Sequence, residues 1–197
     1  MIFGGVIYLR FILELIAMTR LMLKLLFSAF IFAVFAVPVS AQIYVAEDAV
    51  PTTIINAEEL KSLVKSPEIK QPILINLWAT WCGICRNEFP DLVEIEKEYR
   101  DRNLSFYIVS VDTVSLVDTT VSDFLKVYQA ENIPSYLLDV PARHQITKAV
   151  RQIAPKFSGG YPTTLLYNKN GKLVYQKTGS INPKTLRVQI DKVLPKK

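Results

Sequence analysis

Residues 72–90 read Pro72-Ile-Leu-Ile-Asn-Leu-Trp-Ala-Thr-Trp-Cys-Gly-Ile-Cys-Arg-Asn-Glu-Phe-Pro90. The first seven, Pro72 to Trp78, form a nearly continuous apolar run bounded by turn signals, as expected of a strand buried on both faces. From Gly83 to about Arg102 the pattern becomes helical, with Pro90 expected to kink it. Cys82 therefore falls where a buried strand feeds a helix. Unpaired N–H groups and the macrodipole at a helix start favour an anion, so Cys82 is expected to be an acidic, attacking thiol. Cys85 lies one turn inside on the same side, placed to attack a mixed disulfide formed at Cys82. Thiol–disulfide exchange needs that pairing of an exposed nucleophile with a sheltered resolving thiol. An inert disulfide is the bland alternative, but a bridge closing so small a loop gains little entropy. Metal held by the two thiolates is another, with no partner ligands visible.

Outward from this stretch, Asn56-Ala-Glu-Glu59 is a capping box opening a helix to about Lys65, and Ser66-Pro67 ends it. Leu104 to Val111 is a second buried strand, Thr119 to Glu131 an amphipathic helix, Ser135 to Leu138 a short strand, and Ala142 to Ile153 another helix. Thr163–Tyr167, the turn Asn168–Gly171 and Leu173–Lys177 make a hairpin. Pro183 to Val193 closes the chain as a helix with proline in its first turn. Strand–helix–strand at the centre implies a parallel crossover, and the hairpin adds antiparallel strands. The expected fold is α/β, a mixed sheet with helices on both faces, in one domain over residues 42–197.

Composition narrows the function. Hydrophobic residues make up 50% of the 197, too many for a disordered chain. Two Cys and one His exclude a disulfide framework and leave too few ligands for a Cys/His zinc site. His144, the one histidine, sits in a polar helix start and is given no catalytic role; Lys148, Arg151 and Lys156 read as a solvated face. A net charge of +5 with no strong Lys/Arg cluster argues against nucleic acid. Residues 1–41 read as a leader. Arg20 and Lys24 precede an apolar core from Leu25 to Val37, and Val39-Ser40-Ala41 presents the small residues of a cleavage site at Ala41/Gln42. A retained membrane anchor is the alternative; either way the rest of the chain crosses the membrane. Residues 1–17 do not fit a leader, and Met18 or Met22 is expected as the natural start.

The segment Asn76 to Pro90 resembles the active-site segment of the thioredoxin superfamily, and specifically of the exported TlpA/ResA-like thiol–disulfide oxidoreductases. Gly159-Gly-Tyr-Pro-Thr-Thr-Leu-Leu-Tyr-Asn-Lys-Asn-Gly171 is similar to that family's cis-proline loop and hairpin. The resemblance implies a thioredoxin-like fold, a cis Tyr161–Pro162 bond beside Cys82, and a protein thiol–disulfide oxidoreductase without a cofactor or metal. Three positions depart from the family. Ile84 stands where proline often precedes the second cysteine, Asn76 where thioredoxins carry a buried Asp, and a bulky Tyr161 precedes the proline. Glu88 matches the acid that ResA-like members place after the motif. It is expected to relay a proton for Cys85, the alternative being a solvated helix residue. Residues 113–158 exceed what a minimal thioredoxin needs and are expected to tune partner choice.

The expected catalytic residues are Cys82, Cys85 and Glu88. Trp81, Gly83, Ile84, Tyr161 and Pro162 are expected to bind substrate, with Trp78 in the core. The leading function is a disulfide reductase acting as a monomer on protein disulfides, recharged by a membrane thiol electron donor, with apocytochrome c or another periplasmic cysteine protein as the target that family analogy implies. A thiol oxidase is the rival, and thioredoxin-like sites span both directions. A copper-binding module is disfavoured, since Met1, Met18 and Met22 all lie in the leader.

Overall fold

The computed structural model describes residues 18–20, 22 and 49–195. The chain divides into two units, Met1–Val45 and Ala46–Lys197. In the first, residues 18–20 and 22 are helical; the apolar run Leu25–Val37 and the expected cleavage site Ala41/Gln42 lie outside the described residues. Among the described residues, no helix is long and apolar enough to cross a membrane.

The second unit is built on a six-stranded sheet whose strands, numbered along the chain, lie in the order Thr52–Ile55 (β1), Ser135–Leu138 (β4), Ser105–Ser110 (β3), Ile73–Trp78 (β2), Thr163–Tyr167 (β5) and Leu173–Thr178 (β6). Strand β2, Ile73–Trp78, is buried at every position. Because successive side chains point to opposite faces, a strand buried throughout requires cover on both sides of the sheet. It pairs in parallel with β3, Ser105–Ser110, and antiparallel with β5, Thr163–Tyr167. Beyond β3 lies parallel β4, Ser135–Leu138, and beyond β5 lies antiparallel β6, Leu173–Thr178. This is the mixed α/β, thioredoxin-like sheet expected from the sequence.

Helix α1, Ala57–Lys65, starts on the expected capping box. Asn56 Oδ1 accepts from the N–H groups of Glu58 and Glu59 at 2.9 and 3.0 Å, and Glu59 Oε2 accepts from Asn56 N–H at 2.8 Å. Asn56→Ala removes the cap and is expected to cost about 1 kcal/mol, while Asn56→Ser should cost far less. Urea unfolding, read as a shifted midpoint at constant slope, measures both.

Helix α2, Gly83–Tyr99, carries Pro90 inside it and buries Cys85, Glu88, Phe89 and Leu92. Its Phe89 meets Trp78 edge-on at 4.9 Å, and both rings touch Phe124, at 4.8 and 4.5 Å. Trp78 is fully buried, as its apolar neighbours suggested. The closing helix α5, Pro183–Val193, has the expected bounds and packs on α2.

Two sequence expectations are corrected. Thr119–Glu131 is not one helix: a π-helical turn at Val117–Val121 leads into a short α3, Ser122–Val127. The β-branched run Thr119-Thr120-Val121 is a poor start for an α-helix, and Gln129, at φ 55°, ends the segment early. The helix expected over Ala142–Ile153 is a 3-10 turn at Arg143–Gln145 followed by α4, Ile146–Arg151. Strand β1, Thr52–Ile55, has no counterpart in the sequence reading. It is held at the sheet edge by parallel pairing with β4 and by Thr52 Oγ1 donating to Ser135 Oγ at 3.1 Å.

Candidate active site

At the end of β2 the chain leaves the sheet through Ala79-Thr80-Trp81 and enters α2 at Cys82. Cys82 is the N-cap, with extended backbone at φ −85° and ψ 105°. Its carbonyl accepts from Arg86 N–H at 3.1 Å, and its Sγ accepts from Cys85 N–H at 3.1 Å. A sulfur at a cap position thus takes one of the donors that every helix start leaves unpaired. Cys82 and Cys85 are joined by a disulfide with Cα atoms 5.2 Å apart. Cys85 is fully buried, whereas Cys82 retains 7% exposure.

The rim around the sulfurs is apolar and open. Trp81 is 53% exposed and Ile84 50%. A Cβ added at Gly83 would meet nothing within 4 Å. The Tyr161–Pro162 bond is cis, as expected. The β2–β5 register sets Thr163 opposite Leu77, so Pro162 stands level with Trp78 at the end of β2 that leads into the cysteines. Tyr161 meets Trp81 edge-on, with ring centroids 5.9 Å apart. Trp81, Gly83 and Ile84 thus flank the cysteines along the chain, Tyr161 reaches this segment through Trp81, and Pro162 is buried level with Trp78. His144, Lys148, Arg151 and Lys156 are exposed.

Glu88 is buried, at 2% exposure, and is not a solvated helix residue. It lies one turn after Cys85 on the same helix face. Its Oε1 accepts from Asn76 Nδ2 at 3.1 Å and its Oε2 from Ile181 N–H at 2.9 Å. Burial pushes the Glu88 carboxyl above its ordinary range, and these two donors only partly oppose the shift. Asn76 Nδ2 also donates to Thr164 Oγ1 at 3.0 Å, while Asn76 Oδ1 is buried without a hydrogen-bond partner. The residue replacing the buried Asp of thioredoxins is thus the direct partner of the acid after the motif.

Sequence reasoning passed over Thr80 and Asp112. Thr80 is buried two residues before Cys82, and both its donors reach the Asp112 carboxylate at the end of β3. The one local signal was an acidic residue closing the apolar run Phe106–Val111. Among the described residues, no group of three His, Cys, Asp or Glu is placed to hold a metal.

A disulfide between a helix cap and the next turn, on a thioredoxin-like sheet, defines the class: a thiol–disulfide oxidoreductase. The family profile described as Redoxin matches residues 46–194. The chain belongs to the Redoxin family. It is similar to thiol-disulfide oxidoreductase ResA of Oceanobacillus iheyensis, 26% identical over 88% of this chain and 86% of that protein. It is 25% identical to ResA of Bacillus cereus over 62% of this chain, spanning 64% of that relative's length. A thiol:disulfide interchange protein of Chlorobium tepidum, 20% identical, shares the fold with a TM-score of 0.51 over 64% of this chain and 81% of its own. The TlpA/ResA-like resemblance read from the two motifs agrees with these relatives.

Proposed function

We propose that this protein is an extracytoplasmic disulfide reductase, exported by its leader or tethered by it, that acts as a monomer on protein disulfides. In the reduced state the Cys82 thiolate attacks one sulfur of a substrate disulfide, and the other substrate sulfur leaves as a thiolate and takes a proton. Cys85 then gives its proton to the Glu88 carboxylate and attacks Cys82 Sγ, releasing the second substrate thiolate. The substrate gains two electrons and the Cys82–Cys85 disulfide re-forms. A membrane dithiol donor restores the pair: one donor thiolate attacks Cys82 Sγ, Cys85 leaves and takes back the proton from Glu88, and the donor's second thiol attacks the mixed disulfide, so that Cys82 leaves as a thiolate and the donor as a disulfide. The observation that carries this reading is the asymmetry of the two sulfurs: Cys82 keeps the exposure and the cap N–H, while Cys85 has no exposure, with Glu88 one turn further along the same helix face. Trp81, Gly83, Ile84 and Tyr161 form the surface on which an extended substrate segment lies, with the buried Pro162 behind Tyr161. No cation stands between the cysteines to favour the reduced thiolate strongly, which supports the reducing direction. A cysteine-bearing extracytoplasmic protein such as apocytochrome c fits as the target by family resemblance.

Equilibration of the Cys82/Cys85 pair in glutathione buffers tests the direction. The expected potential lies toward the thioredoxin end of the range, about −270 mV, and away from the strongly oxidising end near −120 mV. A value near the latter overturns the reductase reading in favour of a thiol oxidase.

A further inference from the structure

Beyond Trp78 the sheet no longer holds the chain. The last ladder bond is Val111 N–H to Trp78 C=O, at 3.0 Å. The link Ala79–Trp81 must then deliver Cys82 to the helix cap without strand pairing. Thr80, at its centre, has every polar group engaged. Its N–H donates to Asp112 Oδ2 at 2.9 Å, its hydroxyl donates to Asp112 Oδ1 at 2.8 Å, and its carbonyl accepts from Arg86 Nε–H at 2.8 Å. Asp112 is itself buried, at 6% exposure. Its Oδ2 also accepts from Ser110 Oγ at 2.7 Å, and Ser110 Oγ accepts from Asp112 N–H at 3.0 Å. The carboxylate is thus aimed by its own strand end and spends both oxygens on one residue of the link.

Burying a carboxylate is costly, and three charge-assisted hydrogen bonds offset that cost only if the partners stay in place. Arg86 closes the clamp from the other side, since its backbone N–H bonds Cys82 C=O while its side chain bonds Thr80 C=O. We infer that Asp112 is a positioning residue for the redox pair: acting through Thr80, it holds Cys82 at the cap where Cys85 N–H meets its sulfur. The clamp rests on the reading of Cys82 as the attacking sulfur. It sets how much of the helix-start stabilisation that sulfur receives, and hence how fast it attacks a disulfide.

A through-space effect of the Asp112 charge is the competing account, and it has the opposite sign. A nearby carboxylate disfavours a thiolate, so removing the charge would speed the attack. Thr80→Val removes the hydroxyl bond and keeps the charge. Thr80→Ser keeps both. Asp112→Asn keeps the shape but sets an amide donor against one of Thr80's two donors. All three are made in a Cys85→Ser background, where Cys82 is the lone thiol, and mixed with a small aromatic disulfide at neutral pH under pseudo-first-order conditions. Thermal unfolding of each variant is followed in parallel. The clamp predicts that Thr80→Val and Asp112→Asn, while still folded, attack roughly ten- to a hundredfold more slowly, and that Thr80→Ser restores the parent rate. Thr80→Val at the parent rate, or Asp112→Asn faster than the parent, overturns it. Should the Cys85→Ser parent itself fail to attack while Cys85 proves the reactive thiol in Cys82→Ser, the reading of Cys82 falls, and the clamp with it.

Discussion

Cys85→Ser protein, incubated with a disulfide-bonded substrate protein and no free thiol, is expected to accumulate as a covalent adduct through Cys82. Cys82→Ser is expected to form none, and turnover is lost in both. The reason is steric before it is electronic. Cys85 has no exposed surface and lies a turn inside the helix, so a substrate sulfur cannot line up with it along the S–S axis. Cys82 keeps the pair's only exposure and accepts the Cys85 N–H, which favours its anion. Without Cys85 the mixed disulfide has no internal thiol to resolve it. Non-reducing electrophoresis of the two variants reads the result directly, and comparable adducts from both would sink the assignment of roles.

The second large effect concerns Glu88. Glu88→Ala strips the buried Ile181 N–H of its acceptor and takes one acceptor from Asn76 Nδ2, and an orphaned buried donor costs about 1–3 kcal/mol. Glu88→Gln is expected to fold better than Glu88→Ala, because its carbonyl still accepts from Ile181 N–H; its amide faces Asn76 Nδ2, so Asn76 must turn its own amide over to present Oδ1 as the acceptor. The glutamine cannot carry a proton. Resolution of the mixed disulfide by Cys85 should then slow by about a hundredfold, the lower range for losing a general acid or base, with attack by Cys82 little changed. Stability gives an independent check. The folded-state value of Glu88 is raised, so the native protein keeps this proton at pH values where the unfolded chain has lost it. Stability should therefore fall as pH rises from the ordinary carboxyl value, about 4.3, and level off above the raised value. Urea unfolding at several pH values should show that part of the slope disappear in Glu88→Gln; an unchanged slope would mean that Glu88 titrates normally.

The parts of this fold that were legible in the sequence are those with a local cause. Ile73–Trp78 is apolar at every step but Asn76, Asn56 and Glu59 cap each other three residues apart, and Pro183 opens its helix at a position that needs no N–H. Tyr161–Pro162 was legible through resemblance, since nothing in an isolated Tyr-Pro pair sets its isomer. Thr52-Thr-Ile-Ile55 was not legible as a strand, because four residues at an edge are ordered by β4 and have little period of their own. Of the site, the cysteines and the acid after them were visible. The partners that give them their environment were not: Asp112 reaches Thr80 across 32 residues, and Ile181 reaches Glu88 across 93. Hydrogen bonds at such separations leave no trace in spacing or composition.

Gly160 bears on how this protein could be redesigned. A Cβ there would come within 2.6 Å of Thr178 Cγ2, and Thr163 Oγ1 already bonds the Gly160 carbonyl at 2.8 Å. A side chain at position 160 therefore requires Thr178 to turn its side chain away and give up its hydroxyl bond to Thr163, while position 161 next to it faces Trp81. Mutational libraries meant to change which proteins are accepted should hold 160 as glycine and diversify 161. In a deep mutational scan, tolerance should switch from low to broad across that single peptide bond.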